Sequence, residues 1–152
     1  MSSLVSKGKS SPALAITDWA LRLALSSAFL VAVADRLGLC GSLGTANVSW
    51  GTWLTFVAYT GKLLFFLPPG IVQIAAVLAT AAEIAFGVWL LTGWKLQIAA
   101  YGSAALLLTF ALSMVIALGW KAPFNYSVFV DAAAALALAA LHSPSDKTVD
   151  QT

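Results

Sequence analysis

The chain has 152 residues, 61% of them hydrophobic and only 9% charged, where a soluble domain carries about 25% charged residues. Water is therefore not its main solvent, and a scattered formal charge of +2 is too small for a nucleic-acid-binding surface. Cys40 is the only cysteine, which excludes an internal disulfide, a CxxC redox relay and a cysteine-built zinc site.

The length suits a single domain over residues 1–152, with no second composition block. Lys7 and Lys9 precede an apolar run, as in a signal peptide. That run is long, contains Asp18 and Arg22, and lacks a clear small-x-small cleavage site, so it reads as a retained first span. Residues 1–11 are a polar tail, and Ser11-Pro12 is a good helix start. Span one is expected over about 12–36. Asp18 and Arg22 share a face four residues apart, with the acid first, the better order for a helical pair. Asp35-Arg36 marks the far boundary, where a long arginine can snorkel to the headgroups.

GLCGSLGTANVSW, from Gly38, is rich in turn formers and reads as loop. Trp53, Phe56, Val57, Thr60, Leu64 and Leu67 then recur at helical spacing. That run is broken by Lys62 and stopped by Pro68-Pro69, which fits an interfacial or re-entrant helix over about 51–67 better than a fifth span. Span two, about 70–93, is long enough to cross the roughly 20 residues' worth of hydrocarbon core and holds Glu83 near mid-depth. An ionised carboxylate there costs about 2.5–3.5 kcal/mol on insertion scales unless something compensates it. Span three, about 96–118, is uncharged. Span four, about 124–142, carries Asp131, and 143–152 is a second polar tail. Trp50, Trp53, Tyr59, Trp94 and Trp120 lie near the boundaries and read as interface anchors. The expected architecture is all-α: a four-helix transmembrane bundle with an additional interfacial or re-entrant helix between spans one and two.

Each ionisable residue within a span sits on a stripe of small or polar residues, which lets helices approach closely and turns the costly groups inward. Asp18, Arg22, Glu83 and Asp131 are therefore expected to form an intramembrane polar cluster. Three acids share one Arg22, so at least one is neutral or reaches Arg36, Lys62 or Lys121. Two readings stay open: a satisfied network that locks helix packing, or groups that carry protons or bind a ligand. His142, the only histidine, ends span four; it reads as an interfacial cap, with a single axial ligand to a pigment or haem as the alternative. No catalytic residue is identifiable, and neither a Ser/His/Asp arrangement nor a phosphate-cradling glycine loop is present.

Four segments, LRLALSSAFLVAVADRLGLCG (21–41), VSWGTWLTFVAYTGKLLFFLP (48–68), ATAAEIAFGVWLLTG (79–93) and GWKAPFNYSVF (119–129), follow one another as in a known family. On them the chain resembles the DoxX family of small bacterial membrane proteins. The resemblance implies a four-helix bundle in the cytoplasmic (inner) membrane, with Arg22, Glu83 and Asp131 at the family's charged positions. It also implies a role beside quinone-linked redox complexes, because some relatives are the membrane subunit of a thiosulfate:quinone oxidoreductase. Others are linked to oxidative-stress enzymes or to assembly of periplasmic dehydrogenases. The expected function is a non-catalytic or auxiliary membrane subunit, with the bilayer and other subunits as partners, quinone as a possible non-covalent cofactor, and no metal. Alternatives are a small proton-linked permease or lipid-like metabolite binder working by self-association, and a purely structural subunit of a respiratory or photosynthetic complex. An even span count places both termini on one side, which the lysine distribution makes the cytoplasm.

Overall fold

The computed structural model describes residues 11–143, and they are all-helical. The elements are α1 (Pro12–Arg36), α2 (Trp53–Leu63), α3 (Pro69–Thr92), α4 (Leu96–Leu118), α5 (Ala122–Asn125) and α6 (Val128–Leu141). Local chemistry sets their ends. The Ser11 hydroxyl accepts from the Leu14 amide at 3.3 Å to cap α1, and Thr52 does the same for the Thr55 amide of α2 at 3.3 Å. Pro12 and Pro69 occupy first turns, where their missing N–H costs nothing. Gly93 ends α3 at φ 75°, in the left-handed region.

Three helices, α1, α3 and α4, are long and apolar enough to cross a membrane. The expected fourth span, about 124–142, is not one continuous helix. It is divided into α5 and α6, with Ser127 at φ 56° between them. The Ser127 amide closes a turn on the Phe124 carbonyl, and the Ser127 carbonyl then accepts from the Val130 and Asp131 amides to start α6. The break falls on Asn125-Tyr126-Ser127, where polar turn formers interrupt the apolar run. The 14 residues of α6 reach about 21 Å at 1.5 Å per residue, short of a hydrocarbon core of about 30 Å.

Helices α1, α3, α4 and α6 pack in that order around one core, with α6 closing back on α1. Neighbours run antiparallel: Arg22 of α1 meets Leu90 of α3 while Arg36 meets Thr80, and Gln97 of α4 meets Ser143 just past α6. The core holds Leu25 and Phe29 of α1, Leu90 of α3, Ala100 and Leu107 of α4, and Leu138 of α6. Between α4 and α6 the seam is built of Ala99, Ala100, Ala104, Ala132, Ala135 and Ala139, so their backbones approach closely. The outer surface is apolar too, with Ile16, Val31, Ile74, Leu78, Ile98, Ile116 and Val130 exposed. A water-solvated bundle would put polar residues there; this belt suits acyl chains. Helix α2 packs against α3, α4 and the end of α1.

The α1–α3 seam has no spare room at Gly87, where a Cβ would stand 3.1 Å from the Leu30 side chain and 3.4 Å from Phe29 Cβ. Gly87→Leu is expected to destabilise the bundle by about 1–3 kcal/mol through overpacking. Gly70→Ala, whose Cβ meets nothing within 4 Å, should leave stability nearly unchanged. Unfolding in mixed detergent, followed by circular dichroism, measures both.

Candidate functional site

Two arginines leave α1 and grip α3 at different depths. Arg22 reaches the last turn of α3, where helical carbonyls lack partners. Its Nε donates to the Leu90 carbonyl at 2.8 Å, its Nη2 to the Leu91 carbonyl at 2.7 Å, and its Nη1 to Asp18 Oδ2 at 3.4 Å. The cation thus sits at the negative end of the α3 dipole, with the Trp19 ring centroid 4.0 Å from the guanidinium carbon. Gly93 makes the room: a Cβ there would lie 3.0 Å from Arg22 Nη2. Asp18 Oδ1 lies 3.5 Å from His142 Nε2, and His142 Nδ1 lies 3.2 Å from the Leu138 carbonyl. Both imidazole nitrogens therefore face protein atoms, the arrangement of a helix-end cap that ties α6 to α1.

Arg36 is the more deeply enclosed of the two, with 1% of its surface exposed. Its Nη2 lies 2.6 Å from Glu83 Oε2, off the axis of an aligned hydrogen bond. Nη1 donates to the Thr80 hydroxyl at 2.8 Å, and Nε donates to the Ala32 carbonyl at 3.1 Å. Thr80 in turn donates to the Ala76 carbonyl at 2.9 Å. Above the guanidinium lie Phe56 of α2, at 3.8 Å from the ring centroid, and Trp50, at 5.2 Å. Those two rings meet edge to face at 5.4 Å. The neighbouring Asp35 holds the covering loop: its carboxylate accepts from the Ser49, Trp50 and Gly51 amides at 2.9, 3.1 and 3.4 Å. One dipeptide, Asp35-Arg36, thus fixes both the lid and what lies beneath it.

The four residues expected to cluster do not meet at one point. Arg22 takes Asp18 and the α3 carbonyls, whereas Glu83 takes Arg36. The reason is geometric. In the antiparallel α1–α3 pair Arg22 stands level with Leu90, and Arg36, whose side chain leans toward the start of its own helix, is drawn back to the depth of Thr80 and Glu83. Asp131 lies half-buried in the first turn of α6, and among the described residues it makes no ion pair or side-chain hydrogen bond. Arg36 does not snorkel outward; it turns into the bundle. Sequence reasoning reached it only as one of three bases available to an unmatched acid. Thr80 and Glu83, three residues apart on α3, were the signal for a buried donor between them.

Of the interface anchors, Trp94 and Trp120 are exposed, whereas Trp50, Trp53 and Tyr59 are half-buried in an aromatic group around Phe56. Trp50 serves Arg36 more directly than it serves an interface. Among the described residues, no group of three or more His, Cys, Asp or Glu side chains comes together to hold a metal ion. No family model, curated protein or solved structure matches the chain.

Removing one partner of a buried ion pair leaves the other charge uncompensated. Glu83→Ala is expected to destabilise the fold by about 3–5 kcal/mol, whereas Arg36→Met combined with Glu83→Leu should recover most of that loss. A double-mutant cycle on detergent unfolding midpoints reads the coupling. Additive losses would show that the two side chains do not act as a pair.

Proposed function

We propose that the chain is a DoxX-like integral membrane subunit without catalysis of its own, serving or anchoring a quinone-linked redox complex. One observation favours this reading over a permease. The buried charged side chains Arg22, Asp35, Arg36 and Glu83 all find partners within the chain, around a core filled by Leu25, Phe29, Leu90 and Leu138. A network paired to this extent locks helix packing, and leaves only Asp18 Oδ1, Ser26 Oγ and Glu83 Oε2 among the buried side-chain atoms of the described residues without an aligned hydrogen bond. The four quoted segments support the family reading, and the outward Ala133, Ala137 and Ala140 of α6 offer a small-residue face to a partner helix.

A quinone head group calls for a hydrogen-bond donor beside an aromatic face. Arg36 under Phe56 and Trp50 has both chemistries, but its guanidinium is already engaged by Glu83, Thr80 and Ala32. The residues present therefore fit a structural pair, and a quinone would be held at a surface shared with the partner subunit, outside this bundle. In this reading α6 is the fourth span, shorter than the others, and α2 lies at the interface. Both termini face the cytoplasm of a bacterial inner membrane. Burial of Arg36 sharpens that orientation, leaving Lys62 and Lys121 at the far end against Lys95 and the tail lysines Lys7, Lys9 and Lys147. Those tail lysines lie outside the described residues.

Extraction in mild detergent followed by native mass spectrometry tests the proposal. Co-purification with a stoichiometric redox partner is the expected result; a homo-oligomer alone would move the assignment to a permease or metabolite binder. Glu83→Gln, which leaves the Arg36 charge uncompensated, is expected to lower stability while partner activity per assembled complex stays unchanged. Lost activity in an intact assembly would instead give Glu83 a proton-carrying role.

A further inference from the structure

The 25 residues from Leu37 to Gly61, which include the whole α1–α2 connection, contain no charged side chain. A connection in water usually carries charge and hides its leucines; this one does neither. Leu37, Leu39 and Leu43 are 55%, 78% and 60% exposed.

Nor is the loop free to fold those leucines away. Asp35 pins its far end through the three amides of residues 49–51. Gly51, at φ 64°, lies so close to the returning chain that a Cβ would meet the Leu43 amide nitrogen at 2.6 Å, and a Cβ on Gly38 would stand 3.1 Å from the Gly51 carbonyl. Two turns, Thr45 amide to Ser42 carbonyl and Val48 amide to Thr45 carbonyl, complete the loop. The leucines are therefore held outward by a fixed backbone. The loop leaves directly from the end of α1, a helix that exposes apolar side chains such as Val31 along its length.

From this position at the end of an apolar span, the missing charge and the pinned backbone, we propose that the 37–52 loop is a wedge seated in the bilayer at the boundary between headgroups and acyl chains. Its occupant is lipid, and its leucines are the contact. The turn formers Ser42, Thr45, Asn47 and Ser49 would supply polar groups at headgroup level. An interfacial element of this kind binds through buried apolar area without needing a full span. The loop would thereby fix the depth of α1 and, through Asp35 and Trp50, of the aromatic cover over Arg36. The inference rests on α1 being a membrane span, and its test separates the two.

Cys40 lies on this loop, is exposed, and is the only thiol, so the unaltered protein can carry one nitroxide spin label there. The protein labelled in detergent is reconstituted into phosphatidylethanolamine–phosphatidylglycerol nanodiscs. Power saturation then compares collisions of the label with oxygen, which concentrates in lipid, and with a water-soluble nickel chelate. Val31→Cys in a Cys40→Ser background serves as the reference on α1. The expected result is that oxygen exceeds nickel at both positions. Leu39→Asp combined with Leu43→Asp should reverse that order at Cys40 without changing helix content. Nickel exceeding oxygen at Cys40 alone would overturn the wedge, and the same order at both sites would overturn the span as well. Shielding of Cys40 from both reagents would mean a protein surface covers the loop, and would also overturn the proposal.

Discussion

The Arg36 guanidinium and the Glu83 carboxylate, 2.6 Å apart on side chains 2% and 6% exposed, set the terms for the bundle around them. Either charge alone at that depth would cost several kcal/mol in desolvation, so the two must remain together. Keeping them together fixes the register of α1 against α3, because a slide of one helical turn would carry Arg36 away from both Thr80 and Glu83. Thr80 strengthens the arrangement by accepting from Arg36 and donating to its own helix. Phe56 and Trp50 cover the pair where the helices alone would leave it open.

Arg22 supplies the second fixed point. The last turn of a helix leaves carbonyls without partners. Arg22 answers two of them at once, at Leu90 and Leu91. Helix α3 is thus held at its last turn and at its middle by two cations from one neighbour. Elsewhere the ring depends on shape: alanines between α4 and α6, and Gly87 against Leu30 and Phe29. This division follows from the solvent. In lipid there is little hydrophobic gain in bringing helices together, so close packing and a few polar contacts must decide which faces meet.

The α1–α2 connection extends the same logic beyond the helices. Asp35 uses its carboxylate on three amides of the returning chain, and that places Trp50 over Arg36. The interior ion pair and the exposed leucines of the loop are consequently parts of one rigid arrangement. The anchoring role proposed above would need such a fixed arrangement more than an open interior.

Composition and periodicity alone determined that the chain is helical and suited to a membrane, and where α1, α3 and α4 begin and end to within a residue or so, but they gave four spans where three helices are long enough to cross. Those features are local: apolar run length, prolines at helix starts, and Gly93 and Gly119 at helix ends each act within a few residues of chain. Residue types also marked Arg22, Glu83 and Asp131 as costly groups. The Asp18–Arg22 pair was legible from its spacing of four. Which cation meets Glu83 was beyond the sequence, because pairing between helices depends on the relative depth of antiparallel neighbours and on the lean of long side chains. Arg36, placed by its position at a helix end, looked like a surface anchor until α3 and the Trp50 loop closed over it. The break between α5 and α6 was likewise hidden in a run of otherwise helical composition. Tertiary structure decided these points because a buried charge is settled by what lies across from it in space, and no spacing along one chain reports that.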